Sequence, residues 1–97
     1  MTLPIIDTIY FANLLVDLLN IASPTGFAEP AIAFVEKELS KYKQLQILRT
    51  RKGALIAKWE VKSDRPPVAL TAHVDTLGAV VKEIKSNGRL STMYWMP

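Results

Sequence analysis

Residues 68–78, Val-Ala-Leu-Thr-Ala-His-Val-Asp-Thr-Leu-Gly, decide the fold class of this 97-residue chain. The apolar run 68–72, bounded by prolines before it and a glycine after it, is typical of a strand covered on both faces of an α/β sheet. Ligands of such sheets bind beyond the carboxyl ends of the strands. His73, the only histidine, is predicted to lie at that end, with Asp75 two residues later.

A histidine and an aspartate at this spacing suit a metal ligand and its orienting partner. One imidazole nitrogen of His73 can bind the ion, while the Asp75 carboxylate accepts the other N–H and fixes the tautomer. A catalytic zinc normally needs three protein ligands, so this pair alone is incomplete. Two simpler interpretations stay open: His73 merely caps a strand end, and Asp75 accepts backbone N–H groups in a turn before Gly78.

Length and composition limit the class of protein that could contain such a site. Hydrophobic residues make up 49% and charged residues 22% of the chain, which argues against intrinsic disorder. A chain of 97 residues is one small domain or part of a larger one. Its core must either be well packed within these residues or be completed by other segments or chains. With no cysteine there is no disulfide framework, thiolate site or cysteine nucleophile, and we expect a cytoplasmic location. No basic residue precedes Lys37 and no apolar stretch reaches membrane-spanning length, so neither a signal peptide nor a membrane span is expected.

The net charge of +3 conceals a basic cluster in the middle of the chain, formed by Lys41, Lys43, Arg49, Arg51 and Lys52. Such a cluster could meet nucleic acid. A solvated helix end and hairpin turn is the favoured interpretation, because no aromatic residues interleave with the charges to stack on bases.

Upstream of the decisive stretch, hydrophobic periodicity predicts two helices and a hairpin. The helices span about residues 7–21 and 27–42, with Asp7 or Thr8 available to cap the first. The Ser-Pro-Thr-Gly sequence at 23–26 separates them, and its hydroxyls are expected to cap the second helix. Strands at 44–50 and 54–61 flank a turn in which Gly53 can take positive φ.

Downstream, residues 78–85 form a further predicted strand, followed by Asn87-Gly88, a type I′ turn signal. A return strand beginning at Arg89 is not expected to develop, and the chain looks truncated at its apolar end. An unpaired apolar strand edge would then remain, which favours self-association; it would consist of Val80, Val81, Ile84, Met93, Tyr94 and Trp95.

Several segments, in their order along the chain, resemble the amino-terminal part of a metalloaminopeptidase. They are Ala-Ser-Pro-Thr-Gly-Phe at 22–27, a glutamate-rich amphipathic helix, a hairpin containing Lys-Gly, and Thr-Ala-His-Val-Asp-Thr-Leu-Gly-Ala-Val-Val at 71–81. The family is that of the glutamyl and tetrahedral aminopeptidases, some of whose members are named cellulase M or endoglucanase. The resemblance runs from about residue 14 to 90, and its most specific part is His-x-Asp-x-x-Gly. Thr76-Leu77 stands where Glu-Ile is common, which indicates a variant branch and leaves the substrate preference open.

The resemblance implies a fold and a domain division. Residues 1–77 would form the N-terminal part of an α/β/α zinc-peptidase-like catalytic domain, with two helices, a hairpin and a central strand. Residues 78–97 would begin an inserted β-rich domain that is cut short.

The resemblance also implies a site. His73 would bind one of two divalent ions, zinc or cobalt, and Asp75 would act as the catalytic-site residue that orients it. The family's remaining ligands and its glutamate general base are expected beyond residue 97.

Taken together, these features predict a metal-dependent aminopeptidase acting on peptide substrates, present as an N-terminal fragment that is inactive alone. The first alternative is a non-catalytic module that associates with itself or with the missing domain segments. The second is a small basic nucleic-acid-binding domain.

Overall fold

The computed structural model describes residues 2–94 and shows a mixed α/β chain. Two helices precede two separate sheets, each of two antiparallel strands. The elements are α1 (Thr8–Leu19), α2 (Glu29–Leu39), β1 (Leu45–Arg49), β2 (Leu55–Trp59), β3 (Ala79–Ile84) and β4 (Leu90–Tyr94). The predicted mixture of helices and strands is therefore confirmed, with both helices shorter at each end than the sequence predicted.

The residues at the start of each helix suit its free backbone N–H groups. Asp7 caps α1, because its carboxylate accepts a hydrogen bond from the Tyr10 backbone N–H at 3.0 Å. In α2, Pro30 lies in the first turn, where its missing N–H has no intrahelical partner to lose. The α2 cap position is Ala28, which has no side-chain hydrogen bond to offer.

Ion pairs join the first hairpin to α2. The Arg49 guanidinium at the end of β1 lies 2.9 Å from a Glu29 oxygen and 2.6 Å from a Glu36 oxygen. Its side chain is 28% exposed, so the pairs are partly screened from water. They hold β1 against the helix face that carries both glutamates.

The two hairpins share one turn geometry. In the first, the Gly53 N–H donates to the Thr50 carbonyl at 3.0 Å, and Gly53 has φ of +87°. In the second, the Gly88 N–H donates to the Lys85 carbonyl at 2.9 Å, and Gly88 has φ of +78°. Asn87 has no positive φ, so the predicted type I′ turn is wrong: only the glycine takes the left-handed conformation, as in a type I turn followed by a glycine bulge.

The prediction that the return strand would not develop is also wrong. Strand β4 pairs with β3 from Ala79 opposite Tyr94 to Ile84 opposite Leu90, with an irregularity between Val81 and Glu83. The short turn brings the strands together, and β-branched residues and a tyrosine support the pairing. Trp95, which the sequence placed on this edge, lies outside the described residues.

The predicted central strand at 68–72 is not formed either. Residues 60–75 contain no strand, and Val68 and Leu70 are 88% and 95% exposed. A strand needs a neighbour to pair its N–H and C=O groups, and none of the strands within residues 2–94 lies alongside this run. Its apolar sequence is therefore extended and uncovered.

The chain is open. Its accessible surface is 9273 Å², whereas a compact monomer of this mass would expose about 5,500 Å². Its radius of gyration is 18.4 Å, against about 13 Å for a compact domain of this length. Among the described residues only Ala31 and Ser23 are buried. Most apolar side chains of this sequence therefore lack a covering layer within the described residues.

Candidate functional site

The site is built where the loop between the helices meets the segment after the apolar run. Pro24 and Thr76 form a parallel backbone bridge although 52 positions separate them. The Thr76 N–H donates to the Ser23 carbonyl at 2.8 Å, and the Thr25 N–H donates to the Thr76 carbonyl at 3.2 Å. The Ser23 hydroxyl donates to the Val74 carbonyl at 2.8 Å, and Ser23 is 5% exposed. We call this contact between 23–25 and 74–76 the backbone clasp.

Gly78 allows the clasp to close. A Cβ atom at this position would collide with the Pro24 Cβ, because real side chains do not approach one another so closely. Any larger residue would push the loop away from the segment that carries His73. The glycine that ends the decisive stretch of sequence thus has a steric role.

His73 and Asp75 lie together, as the sequence predicted. The His73 Nδ1 atom is 3.0 Å from Asp75 Oδ1 and 3.2 Å from the Asp75 carbonyl oxygen. The imidazole is 84% exposed, whereas the Asp75 side chain is 34% exposed. The Asp75 carboxylate is therefore partly enclosed by the protein, whereas the imidazole projects into solvent.

The electrostatics of the pair define which of the two groups donates the hydrogen bond. A hydrogen bond from the Thr25 hydroxyl, and next the bond with His73, hold the pKa of Asp75 below its usual range. Asp75 is then ionised at neutral pH and can only accept hydrogen bonds. Nδ1 of His73 must therefore carry the proton between them. A neutral ring in this tautomer can bind a metal through Nε2.

Thr25 is the site residue that sequence reasoning assigned wrongly. Its hydroxyl donates to Asp75 Oδ2 at 2.9 Å instead of capping α2. The Ser23 hydroxyl is likewise engaged with the backbone at 74. The physical reason is that the loop turns its hydroxyls toward the decisive segment, about 50 positions away, and α2 begins only at Glu29.

In the part of the chain that the structure describes, no cluster of metal-binding side-chain types surrounds His73 and Asp75. Within residues 2–94, no group of three or more histidine, cysteine, aspartate or glutamate side chains lies close enough to hold one ion. The donor set consequently fits one ligand and its orienting carboxylate, and falls short of the three protein ligands of a catalytic zinc site.

An apolar cleft of about 560 Å³ lies beside the pair. One wall is α2, another is the first hairpin with its turn, and the third is the extended segment 70–75. The aliphatic walls include Ile32, Val35, Leu39, Leu55 and Leu70. This lining resembles half of a hydrophobic core more than a polar binding pocket.

The basic cluster is partly neutralised by α2. Lys41 pairs with Glu38 at 2.6 Å, and Arg49 pairs with two glutamates of the same helix. The residues of the basic cluster lie just after α2 and in the first hairpin, which is where the favoured interpretation of the sequence places them.

Comparison with known proteins finds a similarity to one peptidase family. The sequence profile of the M42 glutamyl aminopeptidases matches residues 53–93, which include His73, Asp75 and Gly78. The chain is similar to the M42 family over these residues. The resemblance to glutamyl aminopeptidases drawn from the sequence is confirmed.

A curated protein is similar to this chain over a longer stretch. The Bacillus subtilis (strain 168) protein named "Putative aminopeptidase YhfE" is 46% identical over 78 residues, which make up 80% of this chain. The same residues make up 22% of the relative, so the chain spans about a fifth of the relative's length. Neither helix within residues 2–94 is long and apolar enough to cross a membrane.

Proposed function

We propose that this chain provides the His73 part of a metal-dependent aminopeptidase site, which removes residues from the free amino terminus of peptides. The observation that carries the proposal is the 3.0 Å hydrogen bond between His73 Nδ1 and Asp75 Oδ1, on an imidazole that is 84% exposed, because it leaves the other ring nitrogen, Nε2, as the atom available to a ligand. The M42 match over the same residues supports it. A free, oriented imidazole at the surface is otherwise costly to keep ordered.

The metal content is part of the same proposal. His73 would bind one of two divalent ions, zinc or cobalt, through Nε2, and Asp75 would orient the ring. Bound metal would polarise the scissile carbonyl and lower the pKa of a water molecule. What this chain does is narrower: Asp75 keeps the Nδ1 proton in place, and the backbone clasp keeps Asp75 in place.

The surroundings of the site support a larger catalytic domain of α/β/α type. The run 68–72 has the composition of a central strand, yet Val68 and Leu70 are almost wholly exposed. We propose that other segments of the complete enzyme pair with this run and fill the cleft beside α2. The strand predicted from the sequence would then form only in the complete sheet.

A domain boundary near Gly78 is proposed on the same basis. Among the described residues, β3 and β4 contact each other and no other helix or strand. This independence supports assigning residues 1–77 to the catalytic domain and 78–97 to the start of an inserted β-rich domain. A cytoplasmic location stays a prediction from the absence of cysteine.

The second candidate function is a non-catalytic module that associates through its apolar surface. The exposed residues Val80, Val81 and Tyr94 of the second hairpin favour it. This candidate and the enzyme proposal differ in what His73 does, because self-association needs no metal ligand.

A chimeric enzyme tests the proposed function. The aligned stretch of the Bacillus subtilis relative is replaced by the corresponding residues of this chain, and hydrolysis of an aminoacyl-p-nitroanilide is measured with zinc or cobalt. We expect activity within the range of the unaltered relative. His73→Ala should lower kcat/KM by about a thousand-fold or more, because losing several kcal/mol of metal-derived charge stabilisation costs about tenfold per 1.4 kcal/mol.

The matched control removes a charged group from the same molecule without touching the site. Lys62→Ala lies in the exposed connection after β2 and should leave kcat/KM unchanged. Full activity of the His73→Ala chimera would overturn the assignment of His73 and leave the self-associating module as the better account.

A further inference from the structure

We propose that Thr25 is a positioning residue for His73, acting through Asp75; the inference rests on the proposed function of that site. The Thr25 hydroxyl donates to Asp75 Oδ2 at 2.9 Å. The other carboxylate oxygen, Oδ1, lies 3.0 Å from His73 Nδ1. Each oxygen of one carboxylate is thus held by a different partner.

The hydroxyl supplies a constraint that the aspartate lacks on its own. The last torsion of an aspartate side chain is broad, so rotamer preference does not fix the carboxylate plane. A bond at Oδ2 restricts that rotation and keeps Oδ1 directed at His73. Because the imidazole is 84% exposed, its orientation depends on hydrogen bonds and not on packing.

Thr25 is suited to this role because its own backbone is fixed. Its N–H donates to the Thr76 carbonyl, and the neighbouring Ser23 carbonyl accepts from the Thr76 N–H. The Thr25 hydroxyl also lies 3.4 Å from the Thr76 carbonyl oxygen. It has a single proton, and the shorter, charge-assisted bond to Asp75 takes it.

The arrangement predicts a specific tautomer. With the carboxylate held in place, the neutral His73 ring carries its proton on Nδ1 and presents an unprotonated Nε2. Without the Thr25 hydroxyl the carboxylate can rotate away, and the Asp75 carbonyl oxygen at 3.2 Å is then the remaining acceptor for Nδ1. A longer bond to a neutral oxygen holds the proton less strongly than the charge-assisted bond does. The proton is then distributed between the two ring nitrogens. Nε2 is protonated in part of the molecules, and those molecules cannot bind a metal through it.

The test reads the tautomer directly in the full 97-residue chain. Histidine labelled with ¹⁵N in its ring gives one pair of nitrogen signals, because His73 is the only histidine. Magic-angle-spinning NMR reads these signals from associated as well as monomeric chain. The measurement is made without metal, about two pH units above the ordinary histidine pKa of about 6.5.

Three variants accompany the wild type. Thr25→Val keeps the side-chain shape and removes the hydroxyl, Thr25→Ser restores the hydroxyl, and Thr76→Val makes the same chemical change at a neighbouring threonine whose backbone forms the clasp. We expect wild type, Thr25→Ser and Thr76→Val to show the Nδ1–H tautomer. Thr25→Val should show averaged ring-nitrogen shifts.

An unchanged Nδ1–H tautomer in Thr25→Val would overturn the proposal, as would averaged signals in the wild type. Averaged signals in Thr76→Val or Thr25→Ser would also contradict it, because a general loosening of the clasp would then be the cause. The outcome is independent of the chimeric enzyme assay, since neither metal nor substrate takes part. An inactive chimera with an intact Nδ1–H tautomer would therefore reject the proposed function and leave the role of Thr25 standing.

Discussion

The isolated 97-residue chain is expected to hydrolyse aminoacyl-p-nitroanilides no faster than buffer does. The reason is the donor set: one histidine with one orienting carboxylate, and no group of three metal-ligand side chains within residues 2–94. Enzymes commonly accelerate their reactions by about a million-fold or more, and we expect this whole factor to be missing. The measurement is product release at saturating zinc or cobalt, with the Bacillus subtilis relative assayed beside it.

His73→Ala serves as the control for this result. In the isolated chain the substitution should leave the background rate unchanged, because no catalysis depends on the imidazole there. A measurable rate in the wild type that disappears in His73→Ala would contradict the expectation. It would mean that the chain assembles a working site by itself or by association.

The second large effect concerns the state of the chain in solution, which we expect to be self-associated. The accessible surface of 9273 Å² includes side chains as apolar as Leu70 and Ile5 at 95% and 99% exposure. Burying apolar surface gains about 25 cal/mol per Å², so contacts between copies are strongly favoured. Sedimentation should give a weight-average mass that rises above 10.8 kDa with concentration.

The second hairpin offers a matched pair of variants for this prediction. Val80→Lys places a charge on the exposed strand β3, and Ser86→Lys places the same charge in the turn of the same hairpin. Only Val80→Lys should reduce association, because a lysine on a strand opposes edge pairing. A single 10.8 kDa species with a radius of gyration of about 13 Å at every concentration would show that the chain closes its own core.

Local features of the fold could be predicted from the sequence. Asp7 caps α1, and Gly53 takes positive φ in the first hairpin. Each of these depends on residues a few positions apart. The second turn was misjudged because Asn87-Gly88 suits several turn types, and the geometry chosen here needs positive φ only at the glycine.

Features that depend on distant partners could not be predicted in the same way. The apolar run 68–72 has strand composition, but a strand requires a neighbour that residues 2–94 do not place beside it. The site shows both situations. The contact between His73 and Asp75 could be predicted because these residues lie two positions apart. The bond from Thr25 to Asp75 joins residues 50 positions apart, and no local sequence pattern indicates it.

The most direct test of the central claim is a calorimetric titration of the chain with zinc. The claim is that this segment brings one metal ligand, His73, to a site that it does not complete. We predict weak binding without defined stoichiometry, with its small heat lost in His73→Ala. One zinc bound per chain with a Kd below about 1 μM, equivalent to more than about 8 kcal/mol, would contradict the account.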